Sequence, residues 1–168
     1  MRAGPIPAER DAILTIGYGH RSMPEFVAAL KSAGVTHILD VRTAPYSRFK
    51  PEFSREPLAA AVKTLGIRYV FMGAELGGQP GGKPDYTQMR LRPGFLEGIV
   101  HLEAGREAGH RIALMCAEGK PQFCHRTKLV AQELVALGIP VSHIDEHGDL
   151  RSHAEIMQLV TGGQEALF

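Results

Sequence analysis

The sequence has no tryptophan and only two cysteines among its 168 residues. Two cysteines are too few for the disulfide framework of a small secreted domain, and no secretory leader is recognisable, so we expect a reduced, cytoplasmic protein. No apolar run approaches the roughly 20 residues that a membrane-spanning helix needs. Lysine and arginine total 19 against 18 for aspartate and glutamate, so the overall charge does not favour nucleic acid or membranes.

Short apolar runs alternate along the chain with segments of helical pattern. This alternation predicts a single α/β domain over residues 11–160, with a mostly parallel sheet of about five strands and helices on both faces. Residues 1–10 are predicted to form an N-terminal tail, and residues 161–168 a flexible C-terminal tail. The runs that predict strands are Ala12–Gly17, Thr36–Val41, Arg68–Met72, Arg111–Cys116 and Val141–Ile144.

Polar and glycine-rich segments follow the predicted strands, at the edge where an open α/β sheet binds its ligands. Guanidinium groups suit anionic ligands, as do the unpaired backbone N–H groups at the start of a helix. Asp40 has a second interpretation, because it can cap a turn and pair with Arg42 without contacting a ligand. The candidate anion- or substrate-binding residues are His20, Arg21, Asp40, Arg42, Gly77, Gly78, Glu118, Lys120 and Arg126.

One loop carries the candidate catalytic residues. The strand "IALMC" ends at Cys116, and Cys124, His125 and Arg126 arrive together just before a helical pattern. A helix start and nearby cations lower the pKa of a thiol, which makes it a better nucleophile at neutral pH. We therefore predict that Cys116 or Cys124 is a catalytic thiol and that His125 is its partner or proton carrier.

Three other interpretations of these residues stay open. Cys116 can pack in the core as an ordinary buried cysteine. Cys116, Cys124 and His125 can ligate a metal ion, although their spacing is not that of a standard zinc site and no fourth ligand is apparent. A disulfide across the loop would make the two cysteines a redox switch. No cofactor is predicted, and a metal is the less favoured alternative.

The segments "TIGYGHRSMPEFVAAL", "ILDVRTAPYSRFKPEF", "LGG" and "LMCAEGKPQFCHR" resemble the bacterial and archaeal DUF488 family, a domain named for its unknown function. The resemblance covers about Ile13 to Ile144 and departs from the family pattern at "GYGHR". It implies an α/β fold and a shared polar rim, but no settled reaction. The matching block consists of Cys116, Ala117, Glu118, Cys124, His125 and Arg126.

A weaker likeness is to rhodanese-type domains, which also place "DVR" after one strand and a loop cysteine after another. Those domains use a tighter loop around the cysteine than the one between Cys116 and Arg126. Persulfide or phosphatase-like chemistry therefore does not transfer from them to this chain.

Two further segments suggest partners. "GGQEALF" at the C-terminus resembles the peptides by which bacterial repair and replication proteins dock on the sliding clamp, with Gln164, Leu167 and Phe168 as the contacts. The alternative is that this segment folds back on its own domain. "SRFKPEFSR", Ser47–Arg55, interleaves cations with aromatic residues in a way that suits single-stranded nucleic acid, but it is also typical of a solvated loop anchored by phenylalanine.

The sequence thus predicts, first, a small cytoplasmic thiol-dependent enzyme with an anion-binding Cys/His/Arg site that acts on a phosphate- or nucleic-acid-related substrate. The second hypothesis is a non-enzymatic accessory protein of DNA maintenance, tethered to the sliding clamp by its tail. The third is a metal or redox-switch protein. No membrane partner is predicted.

Overall fold

The computed structural model describes residues 11–78 and 85–165, with side chains as far as residue 161. One six-stranded sheet runs through these residues, in the order β3-β2-β4-β1-β5-β6. All neighbouring strands are parallel except β5 and β6, which are antiparallel. The strands are β1 (Ile13–Gly17), β2 (His37–Asp40), β3 (Arg68–Phe71), β4 (Ile112–Cys116), β5 (Val141–Ile144) and β6 (Leu150–Ser152).

The predicted α/β class is therefore confirmed, and each predicted strand is present within two residues of its expected ends. Strand β6 was not predicted. It has only three residues, one of them a charged arginine, and it lacks the apolar run that marks a buried parallel strand. Its pairing of Ser152 with Ser142 adds an antiparallel edge to an otherwise parallel sheet.

Helices connect the strands and cover both faces of the sheet, as predicted. A short 3-10 turn precedes α2, another lies between the two cysteines, and a π-helical turn leads directly into α6. The helices are α1 (Met23–Ser32), α2 (Arg55–Lys63), α3 (Gly73–Leu76), α4 (Tyr86–Met89), α5 (Pro93–Glu107), α6 (Gln132–Ala136) and α7 (His153–Glu165), and the turns are Pro51–Phe53, Pro121–Phe123 and Arg126–Ala131.

The core lies on both faces of the sheet because the apolar side chains of each strand alternate between them. On one face, Phe26 of α1 shares a buried cluster with Ile16 of β1. On the other, Phe95 of α5 shares a second cluster with Leu114 of β4. Each such fully buried side chain stabilises the fold by about 1.5–3 kcal/mol, so the two clusters hold the strand ends in fixed register.

Helix α1 begins where the sequence indicates. Ser22 accepts a hydrogen bond from the backbone N–H of Glu25, and the Glu25 carboxylate accepts one from the backbone N–H of Ser22. This capping box satisfies two N–H groups that would otherwise be unpaired at the start of the helix. It fixes the chain direction directly after the turn that carries His20 and Arg21.

The predicted tails lie mostly outside the described residues. Residues 1–10 are not described, and neither are residues 166–168. Helix α7 continues to Glu165 and so includes residues 161–165, which the sequence analysis assigns to the C-terminal tail. No helix among the described residues is both long and apolar enough to span a membrane.

Candidate functional site

The carboxyl ends of five parallel strands lie at one edge of the sheet. The segments that follow these strands meet there, as the fold predicts. They do not form one hollow, however. The loop after β4 separates two cavities, and residues Ala117 and Glu118 line both of them.

The first, which we call the thiol cavity, has a volume of about 460 Å³. It contains all three predicted catalytic residues together with two of the predicted binding residues. Two aromatic side chains that the sequence analysis does not single out complete its wall. The lining residues are Gly78, Tyr86, Cys116, Ala117, Glu118, Phe123, Cys124 and His125.

The two sulfur atoms meet at one imidazole nitrogen. Nδ1 of His125 lies 3.7 Å from Sγ of Cys124 and 4.0 Å from Sγ of Cys116. Neither cysteine forms a disulfide. Cys116 is 8% exposed and Cys124 is 4% exposed. They belong to the apolar cluster under α5, so the interpretation of Cys116 as a core residue is partly right. Both sulfurs nevertheless face a cavity and a polar partner.

The other nitrogen of His125 fixes the protonation pattern of the ring. Nε2 lies 3.0 Å from the carbonyl oxygen of Val41, and a carbonyl oxygen only accepts hydrogen bonds. Nε2 therefore carries a proton, and in the neutral imidazole Nδ1 is left as an acceptor that faces the thiols. His125 is thus set to take a proton from a thiol and to return it.

The two thiols have opposite pKa shifts. The hydrogen bond from the Cys116 thiol lowers the pKa of Cys124 well below its usual value against the opposing effect of burial, and the charge of Arg126 and the contact with His125 act in the same direction. That hydrogen bond, together with burial and the charge on Cys124, raises the pKa of Cys116. Cys124 is therefore the thiol of the pair that more readily loses its proton to form the thiolate.

Arg126 is the cation next to this thiolate. Its side chain is fully buried, and its Nη1 donates to the carbonyl oxygen of Glu118 at 2.6 Å. Among the described residues no carboxylate forms an ion pair with it, and its Nη2 has no hydrogen-bond partner. Burying a cation without a counter-charge is costly, and the charge of Arg126 correspondingly favours the thiolate form of Cys124.

Cys124 also occupies the start of a helix. Its carbonyl oxygen accepts hydrogen bonds from the N–H groups of Thr127 and Lys128, both at 3.1 Å. The π-helical turn Arg126–Ala131 follows directly, and such turns are frequent at functional sites. The helix predicted from Arg126 is therefore present, but its first turns are wider than those of an α-helix.

The second cavity, which we call the polar cavity, has a volume of about 490 Å³. Predicted binding residues His20, Arg21 and Lys120 line it, together with Glu25, Glu118, Glu146 and His147. Arg21 is 9% exposed, and its Nη1 donates to the carbonyl oxygen of Gly17 at 2.6 Å while its Nη2 donates to that of Asp145. Arg21 therefore ties two strand ends together, in addition to lining the cavity.

Close backbone packing holds the loop between the two cavities. A Cβ at Gly17 would lie 1.7 Å from the carbonyl oxygen of Glu118, so no side chain fits at that position. Gly19 has a φ of 47° and its own close approach to Gly119. The glycines of "GYGHR" thus allow the turn after β1 to lie directly on the loop after Cys116.

Asp40 and Arg42 form an internal ion pair. Both oxygens of the Asp40 carboxylate accept from the Arg42 guanidinium, at 2.9 and 2.7 Å, and Tyr69 donates its hydroxyl to the same carboxylate at 2.5 Å. Burial is the largest single effect on the pKa of Arg42 and lowers it, but the hydrogen bonds to Asp40, the charge of Asp40 and Tyr18 together outweigh burial and raise the pKa. Nη1 of Arg42 is buried and has no hydrogen-bond partner.

The remaining predicted residues have varied positions. Gly77 packs against Gly73, and the carbonyl of Gly78 accepts from the hydroxyl of Thr43 at 2.5 Å. In "SRFKPEFSR", Phe53 is buried and anchors the loop, whereas Phe49 is 89% exposed. The predicted partner-binding residues Gln164, Leu167 and Phe168 lie outside the residues whose side chains are described.

The same three residues could hold a metal ion. The sulfurs of Cys116 and Cys124 and one ring nitrogen of His125 all lie within 4.8 Å of one another, and they are the donors that zinc and similar ions prefer. Nε2 of His125 already donates to a backbone carbonyl, as the second nitrogen of a metal-bound histidine commonly does. A fourth ligand would come from the thiol cavity.

Several residues of the site were not predicted from the sequence. Tyr86 and Phe123 line the thiol cavity, and burial together with the charge on Cys124 raises the pKa of Tyr86. Phe123 could have been predicted as a site residue from its position in the loop between the two cysteines. Thr15 and His143 are buried behind Arg126. The signal for Thr15 is a polar residue inside an otherwise apolar strand, and the signal for His143 is a histidine in a short strand that apolar residues begin and end.

Comparison with known proteins identifies one family. A family model described as a domain of unknown function, DUF488, matches residues 22–132, about two thirds of the chain. The match includes Cys116, Cys124, His125 and Arg126 but begins after Arg21. No curated protein sequence matches the chain. The weaker likeness to rhodanese-type domains stays a prediction.

Proposed function

The chain belongs to the DUF488 family, a domain of unknown function, and we propose that its site is that of a thiol-dependent enzyme. Cys124 is the nucleophile, and Cys116 and His125 are the residues that exchange protons with it. The observation that carries this proposal is the meeting of both sulfurs with Nδ1 of His125 on the wall of one cavity.

The positions of the donors and acceptors support a complete reaction step. His125 accepts the Cys124 proton at Nδ1, and the thiolate attacks an electrophilic carbon or phosphorus atom of the substrate. The leaving group departs with its bonding electrons and takes the proton from Nδ1. Water then donates a proton to Nδ1 and attacks the covalent intermediate, which releases the product and restores the thiolate.

The thiol cavity and its surroundings favour a small anionic substrate that contains a ring. Tyr86 and Phe123 offer ring surfaces, and Nζ of Lys120 lies 5.9 Å from the ring centroid of Phe123. In the adjoining polar cavity Glu25, Glu118 and Glu146 oppose the charges of Arg21 and Lys120, so Lys120 beside Phe123 is the cation available to an anionic group. A nucleotide or another phosphate-bearing ring compound combines these two features.

The exposed loop after β2 supports the same substrate class. Phe49 is 89% exposed, and the guanidinium of Arg48 lies 5.7 Å from its ring centroid. An exposed aromatic ring next to a cation is the arrangement on which the bases of single-stranded nucleic acid stack. We therefore propose a phosphate- or nucleic-acid-related substrate.

Alkylation at neutral pH with mass mapping tests the thiol chemistry. We expect rapid modification of Cys124 and slow modification of Cys116 in protein first treated with a chelator, because only Cys124 has a lowered pKa. C116S keeps a hydrogen-bond donor for Cys124 whereas C116A does not, so Cys124 should stay reactive only in C116S. Two inert thiols in the wild-type protein would contradict the proposal.

A screen of phosphate esters and nucleotides tests the reaction class. Turnover of a substrate should require Cys124 and should be absent in C124S, which keeps the shape of the side chain but has a far weaker nucleophile. Turnover that persists in C124S would show that the thiol does not carry the reaction.

A further inference from the structure

Behind Arg126, a buried chain of hydrogen bonds runs across the sheet. Nε of Arg126 donates to the hydroxyl of Thr15 at 3.2 Å, and that hydroxyl lies 2.6 Å from Nδ1 of His143. Nε2 of His143 lies 3.0 Å from Nδ1 of His153, and Nε2 of His153 lies 2.6 Å from Oε1 of Gln132. We call these five residues the buried polar chain. The reaction proposed above assigns no proton-transfer or bond-forming step to any of them.

The direction of each hydrogen bond follows from the two ends of the chain, because Oε1 of Gln132 can only accept and Arg126 can only donate. Because Thr15 accepts from Arg126, its own proton is free to go to Nδ1 of His143. The neutral His143 ring then carries its proton on Nε2 and donates it to His153, which donates in turn to Gln132. Each donor therefore meets an acceptor, and no proton has to be shared or removed.

Burial supports the neutral state of His143. The ring is fully buried, and burial followed by the charges of Arg126 and His153 lowers its pKa to about 2. A neutral ring is also the form that the directions of these hydrogen bonds require. The chain is therefore complete at neutral pH without an internal ion pair.

The chain connects Arg126 to parts of the fold that do not line the thiol cavity. Thr15 belongs to β1, His143 to β5 and His153 to α7, while Gln132 begins α6. An arginine side chain has several rotatable bonds, so the position of its guanidinium is fixed only when its N–H groups have partners. Here one fixed partner is the Thr15 hydroxyl, whose orientation His143 determines.

We propose that Thr15 and His143 are positioning residues of the thiol site, which hold the Arg126 guanidinium where it stabilises the thiolate of Cys124. This inference rests on the proposed thiol function and names residues that support it without contacting the substrate. The two residues act through Arg126, so their effect on Cys124 should disappear when Arg126 is replaced.

The test compares two substitutions of Thr15 in the full-length protein. T15V keeps the volume of the side chain but removes the hydroxyl, and T15S restores the hydroxyl with a smaller side chain. We expect T15V to slow alkylation of Cys124 by iodoacetamide about tenfold, in line with the loss of a hydrogen bond to a charged group. T15S should stay within about twofold of the wild type, because a retained hydroxyl keeps both hydrogen bonds.

A second pair of variants and a double mutant keep the test decisive if T15V does not fold. H143N offers an acceptor oxygen near the position of Nδ1, whereas H143L offers none, so only H143L should slow alkylation. In an R126Q background, T15V should cause no further slowing. A folded T15V, or H143L, that reacts at the wild-type rate would overturn the inference while leaving the thiol function intact. Inert thiols in the wild-type protein would overturn both.

Discussion

Nε2 of His125 lies 3.0 Å from the carbonyl oxygen of Val41, a residue 84 positions earlier in the chain. Val41 follows β2 and His125 follows the loop after β4, and these two strands are neighbours in the sheet. One hydrogen bond thus joins two strand ends and decides which nitrogen of the imidazole faces the sulfurs. The role of Nδ1 as a proton acceptor depends on this hydrogen bond at Nε2. Substitutions of His125 can keep a polar group near one nitrogen position while removing the other.

The first prediction separates the two nitrogens of His125. H125Q keeps a donor near the position of Nε2 but has no group at Nδ1, so we expect a stable protein in which Cys124 is alkylated about tenfold more slowly. H125N places its amide near Nδ1 and loses the contact with Val41, so it should lose stability but keep more of the reactivity. Equal alkylation rates in H125Q and the wild type would refute the assigned role of Nδ1.

The second prediction concerns the buried pair of Asp40 and Arg42. D40N keeps the shape of the side chain but leaves the guanidinium without its counter-charge, which should lower the free energy of unfolding by about 3–5 kcal/mol. Urea denaturation measures this change. Y69F is the matched control, because it removes a single hydrogen bond to Asp40 and should cost only about 1 kcal/mol. A D40N loss no larger than that of Y69F would contradict the structural role of the pair.

The third prediction is a pH dependence of stability caused by His143. The pKa of His143 is about 2 in the folded protein and has the ordinary value near 6.5 in the unfolded chain. Between these two values only the unfolded state takes up a proton at His143. His143 therefore contributes full stability above pH 6.5, and this contribution falls as the pH decreases. At pH 5, protonation of His143 in the unfolded state should lower the free energy of unfolding by about 2 kcal/mol, at 1.36 kcal/mol for each pH unit.

Urea denaturation of H143N between pH 7 and pH 5 provides the comparison. Asparagine does not titrate in this range, so the decrease in stability of H143N should be smaller than that of the wild type by about 2 kcal/mol. His153, whose pKa is also lowered by burial, contributes in the same direction in both proteins. Identical pH dependence in the two proteins would show that His143 is not held neutral.

The fourth prediction tests the packing of the loop that separates the two cavities. G17A would place a Cβ 1.7 Å from the carbonyl oxygen of Glu118, which cannot move without shifting the loop after Cys116. We expect a loss of about 1–3 kcal/mol or more in the free energy of unfolding, together with a changed alkylation rate at Cys124. G94A is the control, because nothing lies within 4 Å of a Cβ there. A G17A protein as stable as G94A would be incompatible with this packing.

Much of the fold could be predicted because its signals are local. The buried runs that became β1 to β5, and the capping box of Ser22 and Glu25, depend on neighbouring residues and on burial. The rule that ligands bind at strand ends then selected Cys116, Cys124 and His125, and these three do meet at one cavity. Strand β6 was missed because its pairing, and not its composition, makes it a strand.

The use of the arginines could not be predicted in the same way. Arg21, Arg42 and Arg126 were all assigned to anion binding, yet each is buried and its guanidinium donates two hydrogen bonds to partners within the protein. A guanidinium has five N–H groups, and its partners come from whichever elements the fold places around it. The composition of a loop does not contain that information.

The sequence by itself determined the positions of β1 to β5 along the chain, the capping of α1 and the edge of the sheet at which two cysteines and a histidine come together. Only the tertiary structure decided that one cavity contains the thiols and another contains Arg21 and Lys120 together with three glutamates. It alone placed the Thr15 hydroxyl against His143, a residue 128 positions away. The physical reason is that the alternation of buried and exposed positions is a pattern among neighbouring residues. The partner of a buried polar group, in contrast, comes from a segment that is distant in the sequence.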